Sequence, residues 1–145
     1  MIIQEAIATH RGPILELLAE NKLPSEDIGV TLEHFWVALE NEQVVGAIGL
    51  EIYGQYGLLR SMVVSTASRG QGIASMLVGY LEDEAGKMGI DEIYLLTETA
   101  PDYFLRHGYM ETRREEAPEP LKVSTEFSHV CPASARIFSK TINHS

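Results

Sequence analysis

Ser68-Arg69-Gly70-Gln71-Gly72-Ile73-Ala74-Ser75 lies between an apolar run, Leu58 to Val64, and a long amphipathic segment, Gly72 to Met88. A strand that breaks into a glycine-rich turn and then opens a helix makes a cradle for phosphate. Gly70 and Gly72 have no Cβ, so the backbone can turn sharply and approach a ligand closely. The first N–H groups of a helix have no intrahelical partner, and the helix dipole adds a partial positive charge there. The stretch therefore predicts a phosphorylated ligand held by Arg69, Gly70, Gln71, Gly72, Ile73, Ala74 and Ser75. The alternative is a plain glycine-rich connection. Two other phosphate loops fit poorly: there is no Gly-Lys-Ser/Thr, and the spacing Gly-x-Gly-x-x-Gly is absent.

Outward from this turn the chain reads as alternating elements. Ile2 to Ala8 reads as a strand, and Thr9 as the cap of a helix with Pro13 in its first turn and Ile14, Leu17 and Leu18 as its apolar stripe. Asn21 to Pro24 ends that helix, and Ser25 to Glu33 is a polar stretch, either a short helix or a loop. Phe35 to Leu39, Val44 to Tyr53 and Leu58 to Val64 form a meander, turning at Asn41-Glu42 and at Gly54 to Gly57. The helix Gly72 to Met88 is expected to bury Ile73, Met76, Leu77, Tyr80 and Leu81, and Gly89 stops it. Ile93 to Thr97 reads as a short central strand. Ala100 to His107 reads as a helix, Met110 to Arg114 as a strand, and Pro118 and Pro120 mark a loop. Val123 to Phe127 looks like a last strand, and Pro132 to Lys140 a closing helix. This order specifies an α/β sheet, antiparallel early, with a crossover helix in the middle.

Composition sets the bounds. The chain has 145 residues, of which 45% are hydrophobic, enough for one domain over 1–145 with a single core. Eleven basic against 21 acidic side chains give a formal charge of −10. That field repels nucleic acid and anionic membrane, so neither is an expected partner. It also makes Arg69 more telling, because an anionic ligand must be captured locally. One cysteine, Cys131, allows no internal disulfide and fits a reducing cytoplasm. The N-terminus carries no basic segment and no long apolar stretch, so no signal peptide or membrane span is expected.

With the element order in place, Arg69-x-x-Gly72-x-Ala74 resembles the Arg/Gln-x-x-Gly-x-Gly/Ala signature of the GCN5-related N-acetyltransferase (GNAT) superfamily. Met62-Val63-Val64, which ends the preceding strand, fits as well. Tyr103-Phe104-Leu105-Arg106-His107-Gly108-Tyr109 is similar to the family's aromatic-rich helix ending in Gly-aromatic. Gly57 to Val64, Thr125-Glu126-Phe127 and Cys131-Pro132-Ala133-Ser134-Ala135 resemble the arsenic-resistance N-acetyltransferase subfamily. The resemblance covers nearly the whole chain. It implies a mixed, largely antiparallel sheet with a central splayed strand pair, flanked by helices. It also implies acetyl-CoA as cofactor, with no metal. The pyrophosphate would lie on residues 70–74 with Arg69 at its edge, and the pantetheine arm would pair with the backbone of Met62, Val63 and Val64. A homodimer is implied too, through the 131–142 segment or the last strands.

Acetyl transfer needs a neutral amine, a donor for the oxyanion, and in some cases an acid for the departing thiolate. A backbone N–H near Met62 to Val64 is the implied oxyanion donor. Many family members carry Tyr four residues before the Gly of the Gly-aromatic pair; this chain has Phe104 there. Adjacent Tyr103 points elsewhere on a helix, so it cannot be assumed to substitute. Either no acid is used, since a thiol pKa of about 8.5 makes thiolate a tolerable leaving group, or another group serves. Phe104 packs against the cofactor arm or against the core. The candidate base is Glu51, which the hairpin arithmetic sets opposite Arg60 on one face of the sheet. The pair is either a structural ion pair or a working one. In the second case Arg60 grips a substrate oxyanion bidentately and Glu51 takes the ammonium proton. Arg60 shares that face with Met62 and Val64, while Ser61 points to the other side. Thr97 and Thr99 end the central strand, where ligands of α/β folds bind, and Thr97 is a candidate substrate contact. His129 reads as a solvated loop residue, and Cys131 as a packing residue or a helix-terminal thiol. The expected function is transfer of acetyl from acetyl-CoA to a primary amine of a small, amino-acid-like molecule by direct attack in a ternary complex. A CoA-binding sensor without catalysis is the alternative.

Overall fold

The β-hairpin at Asn41-Glu42 shows how local chemistry makes the sheet. Both turn residues are left-handed, φ 51° and 66°, the conformation that joins two twisted strands with a two-residue loop. The computed structural model describes residues 1–23, 33–97, 100–122 and 136–142. In chain order these form β1 (Ile2–Glu5), α1 (Arg11–Glu20), β2 (Phe35–Glu40), β3 (Gln43–Tyr53), β4 (Tyr56–Val64), α2 (Ile73–Lys87), β5 (Glu92–Thr97), α3 (Pro101–Arg106), β6 (Met110–Thr112), α4 (Glu119–Lys122) and β7 (Arg136–Thr141). The strands make one seven-stranded sheet in the order β1-β2-β3-β4-β5-β7-β6. β1–β2, β2–β3, β5–β7 and β6–β7 pair antiparallel, whereas β4–β5 is parallel. This is the mixed, largely antiparallel sheet expected. The β4–β5 ladder covers only Tyr56–Leu58 and Glu92–Tyr94, although both strands run on, as expected of a splayed pair.

The chain forms two compact units. One comprises Met1–Leu50 and Ser61–Glu84, the other Glu51–Arg60 and Ala85–Ser145.

In the first unit, Ile14, Leu17 and Leu18 of α1 pack with Phe35, Val37, Ala47 and Val63. Thr9 does not cap α1: the chain enters through a 3₁₀ turn, Ala8–His10, and the His10 ring accepts a hydrogen bond from the Ile7 N–H at 3.0 Å. Gly49 pairs with Phe35, and a Cβ there would lie 2.7 Å from the Phe35 ring, so the ring itself fills the place of a side chain. In α2 the buried line is Ile73, Leu77 and Leu81, widened by Val78 and Ala85. Met76 and Tyr80, expected inside, are 46% and 36% exposed. At 100° per residue the buried arc runs from Ile73 round to Val78, which leaves Met76 and Tyr80 beyond its edge. Tyr80 lies against Trp36 at 6.4 Å between ring centroids.

In the second unit, β5 sits between β4 and β7, and Leu58, Tyr94, Leu121 and Ile137 form its core. Arg136 to Lys140 belongs to a strand rather than to the closing helix expected over Pro132 to Lys140. β7 pairs with β5 on one side and β6 on the other, and two ladders outweigh a weak local helical pattern. The Pro118–Pro120 region is also more ordered than a loop. A 3₁₀ turn, Arg114–Glu116, leads into α4, where Pro120 occupies a first-turn position that needs no N–H and Leu121 is buried. Most of Ser25–Glu33, Thr99, the strand expected at Val123–Phe127, His129 and Cys131 lie outside the described residues. Among the described residues no helix is long and apolar enough to cross a membrane.

Candidate functional site

The glycine turn takes the conformation its sequence predicts. After β4 a 3₁₀ turn, Thr66–Ser68, leads to Arg69 in an extended conformation. Gly70 and Gly72 are both left-handed, φ 85° and 78°, and a Cβ at either would face open space. Their glycine character therefore serves backbone shape rather than tight packing. The Met76 N–H donates to the Gly72 carbonyl at 3.1 Å, so the N–H groups of Ile73 and Ala74 lie ahead of the helical ladder. Ile73 is buried, Ala74 is half-buried, and Gln71 and Ser75 are exposed. The exposed Arg69 guanidinium donates through Nη2 to Asn21 Oδ1.

Ser61 is left-handed, φ 56°, in the middle of β4. A non-glycine residue there marks an irregularity in the strand that re-aims its backbone. Strict alternation ends at that point, so the face that Arg60 was expected to share with Met62 and Val64 does not follow by parity. Val63 is buried in the core, and Met62 and Val64 are half-buried.

Glu51 and Arg60 do meet. Arg60 Nη1 lies 3.6 Å from Glu51 Oε2, with side-chain exposures of 3% for the arginine and 31% for the carboxylate. The Tyr53 hydroxyl donates to Glu51 Oε1 at 3.2 Å. The hairpin turns over Gly54-Gln55 alone, tighter than the expected turn at Gly54 to Gly57, because β4 already begins at Tyr56. Counting from that turn sets Glu51 opposite Leu58, one diagonal step from Arg60 on the same face, within reach of long side chains.

Thr97 ends β5 opposite Arg136, and its Oγ1 accepts a hydrogen bond from the Ala100 N–H at 3.1 Å. That bond shapes the entry to α3. Phe104 is 4% exposed and packs edge-on against Tyr103 and Tyr109, with centroids 5.1 Å and 5.6 Å away.

One feature was not foreseen from the sequence. An open surface depression of about 460 Å³ is lined by Glu111, Thr112, Arg113, Arg114, Glu115 and Ile137, none of them expected site residues. At its wall Arg136 donates to both oxygens of Glu111, at 2.9 Å and 2.7 Å. That bidentate bond holds the Glu111 carboxyl below its usual range and raises Arg136. The two residues are 25 apart in sequence, on strands that neighbour only in the folded sheet, so no local signal marks them.

A family model described as Acetyltransferase (GNAT) domain matches residues 31–111. The chain is 33% identical over 89 residues to the aminoalkylphosphonate N-acetyltransferase of Salmonella typhimurium, covering 54% of this chain and 58% of that protein. It is 30% identical over 114 residues to the amino-acid acetyltransferase of Mycobacterium tuberculosis, covering 75% and 62%. The chain thus spans about three-fifths of the length of these curated relatives. Its fold is similar to that of N-acetylglutamate synthase from Neisseria gonorrhoeae complexed with coenzyme A and N-acetyl-glutamate, with TM-score 0.84 at 18% identity over 98% of this chain and 35% of that one. The family match covers more than half of the sequence and includes the left-handed glycine turn, and the chain belongs to the GNAT acetyltransferase family.

Proposed function

We propose that this chain is a single N-acetyltransferase domain over residues 1–145 that moves acetyl from acetyl-CoA to the primary amine of a small, amino-acid-like molecule. The observation that carries the donor half is the turn itself: two left-handed glycines with open space around them, followed by helix N–H groups ahead of the ladder and flanked by Arg69. This arrangement fits a pyrophosphate. The backbone of β4 at Met62 to Val64, past the end of the β5 ladder, suits an amide-bearing arm. Acetyl-CoA supplies a thioester whose acyl group a neutral amine takes, with departure of a thiolate. No acid is required for that departure, which agrees with Phe104 lying in an aromatic cluster with no hydroxyl of its own.

The acceptor half rests on Glu51 and Arg60. Arg60 is a planar bidentate donor beside the partly open Glu51 carboxylate, in a chain with a formal charge of −10, and this supports reading it as the acceptor's local anion contact. Arg60 grips the acceptor's carboxylate or other oxyanion, and Glu51, open on one side, takes the ammonium proton directly or through water. The amine nitrogen then forms its bond to the acyl carbon as the carbon–sulfur bond breaks, and the proton that the nitrogen sheds on becoming an amide passes to water or to the departing thiolate. Two relatives named for amino-acid and aminoalkylphosphonate substrates support an acceptor that joins an amine to an anionic group. Thr97 lies at the strand end where such an acceptor would bind. The arsenic-resistance resemblance makes an arsenic-containing amino acid one member of this class. The single cysteine and net acidity support a cytoplasmic protein, and the family resemblance supports a homodimer.

The test follows free thiol release from acetyl-CoA with glutamate-like amines, aminoalkylphosphonates, phosphinate- and arsenic-containing amino acids, and polyamines. Release with the anionic amino-acid-like group and little with polyamines is the expected result. Release with polyamines alone would overturn the acceptor assignment. Tight CoA binding with no release across the panel would favour the sensor.

A further inference from the structure

Asn21 ends α1, and its side chain uses both of its polar atoms. Nδ2 donates to the Leu17 carbonyl at 2.8 Å, in the last turn of the helix. That bond fixes the orientation of the amide, so Oδ1 is the atom turned toward Arg69, and it accepts from Arg69 Nη2. The residues are 48 apart in sequence. Lys140 donates to a neutral oxygen too, the His107 carbonyl at 3.1 Å, but four other described cations face carboxylates. Arg60 faces Glu51, Arg113 faces Glu116, Lys122 faces Glu119 and Arg136 faces Glu111. With 21 acidic side chains in the sequence, a carboxylate is the commonest partner at hand. Arg69 is instead held, among the described residues, by a neutral amide.

The difference matters electrostatically. A carboxylate in the same place would hold the guanidinium just as firmly but would offset its charge and compete with any incoming anion. A neutral carbonyl oxygen orients the guanidinium and leaves its full charge for a ligand. It also removes rotamer freedom that binding would otherwise have to remove. We infer that Asn21 is a positioning residue for the donor site: it presets Arg69, by way of the C-terminal turn of α1, without neutralising it. This inference rests on the reading of the glycine turn as the pyrophosphate cradle.

The test compares Asn21→Asp, Asn21→Ala and Arg69→Ala in the full chain. It measures CoA binding by calorimetry and pantetheine, which lacks the pyrophosphate, by NMR titration. Arg69→Ala is expected to weaken CoA roughly tenfold. Asn21→Asp is expected to weaken CoA by a similar factor, about tenfold, because the new carboxylate pairs with Arg69. Asn21→Ala loses orientation but keeps the charge, and about threefold is expected. Pantetheine affinity is unchanged in all three, and the salt dependence of CoA binding flattens in Asn21→Asp. A purely structural Asn21 would make Asp the milder change or shift pantetheine and CoA together, and either result overturns the inference while the cradle stands. Unchanged CoA affinity in Arg69→Ala overturns the inference together with its placement of Arg69 at the cradle.

Discussion

Arg60 and Tyr94 carry the clearest consequences at the scale of single residues. In Arg60→Met a side chain of similar volume replaces the buried cation, and Glu51 keeps its partial access to water and the Tyr53 hydroxyl. Stability should fall by about 1–3 kcal/mol, because Glu51 loses its cationic partner but keeps that access to water and the Tyr53 hydroxyl. Affinity for a carboxylated amine should fall at least about tenfold, the worth of one charge-assisted hydrogen bond. Steady-state kinetics with acetyl-CoA saturating checks this, and unchanged affinity would return the pair to a structural role. Tyr94 is 6% exposed, and burial first, then the Glu92 carboxylate, push its hydroxyl up to about 12. Between roughly pH 10 and 12 the unfolded chain gives up this proton while the folded chain keeps it. The unfolded state then binds fewer protons, so stability is complete below the unfolded pKa and is lost as pH rises through the folded one. Denaturant unfolding across that window should show a shallower alkaline decline in Tyr94→Phe than in the parent.

At the scale of elements, α2 shows how periodicity both informs and misleads. Spacing by threes and fours correctly marked a helix with Ile73, Leu77 and Leu81 inside, yet Met76 and Tyr80 fit the same spacing and point outward. An apolar set this wide covers more of the helix than the sheet can bury, so packing chooses the arc. Leu77→Ala should therefore cost about 2–5 kcal/mol, whereas Met76→Ala should stay within about 0.5 kcal/mol. Chemical denaturation of the two variants measures the contrast, and equal costs would contradict the orientation of the helix. β7 makes the complementary point. Its sequence looked helical at the end of the chain, and only the two neighbouring strands make it extended. The glycine turn needed no such correction, because its conformation follows from two glycines and a helix start within a few residues.

For the molecule as a whole, a formal charge of −10 opposes compaction. Exposed like charges are screened within about 8 Å at physiological salt, so moving from low to moderate ionic strength should raise Tm by roughly 2–4 °C. A calorimetric salt series checks this; a Tm that falls with salt would mean that attractive pairs such as Arg136–Glu111 outweigh the repulsion. The sequence by itself determined what depends on neighbours along the chain: the order of the described elements up to β6, the sharp glycine turn between β4 and α2, the stripe of α1, and the nearness of Glu51 and Arg60 across one hairpin. Tertiary structure decided what depends on distant partners. It set which arc of α2 is buried, the insertion of β7 between β5 and β6, the turned residue Ser61 within β4, and the contacts of Arg69 with Asn21 and Arg136 with Glu111. The reason is physical: turn and helix signals act through local backbone sterics and hydrogen bonds, whereas strand pairing and side-chain contacts gain their energy only once remote segments have been brought together.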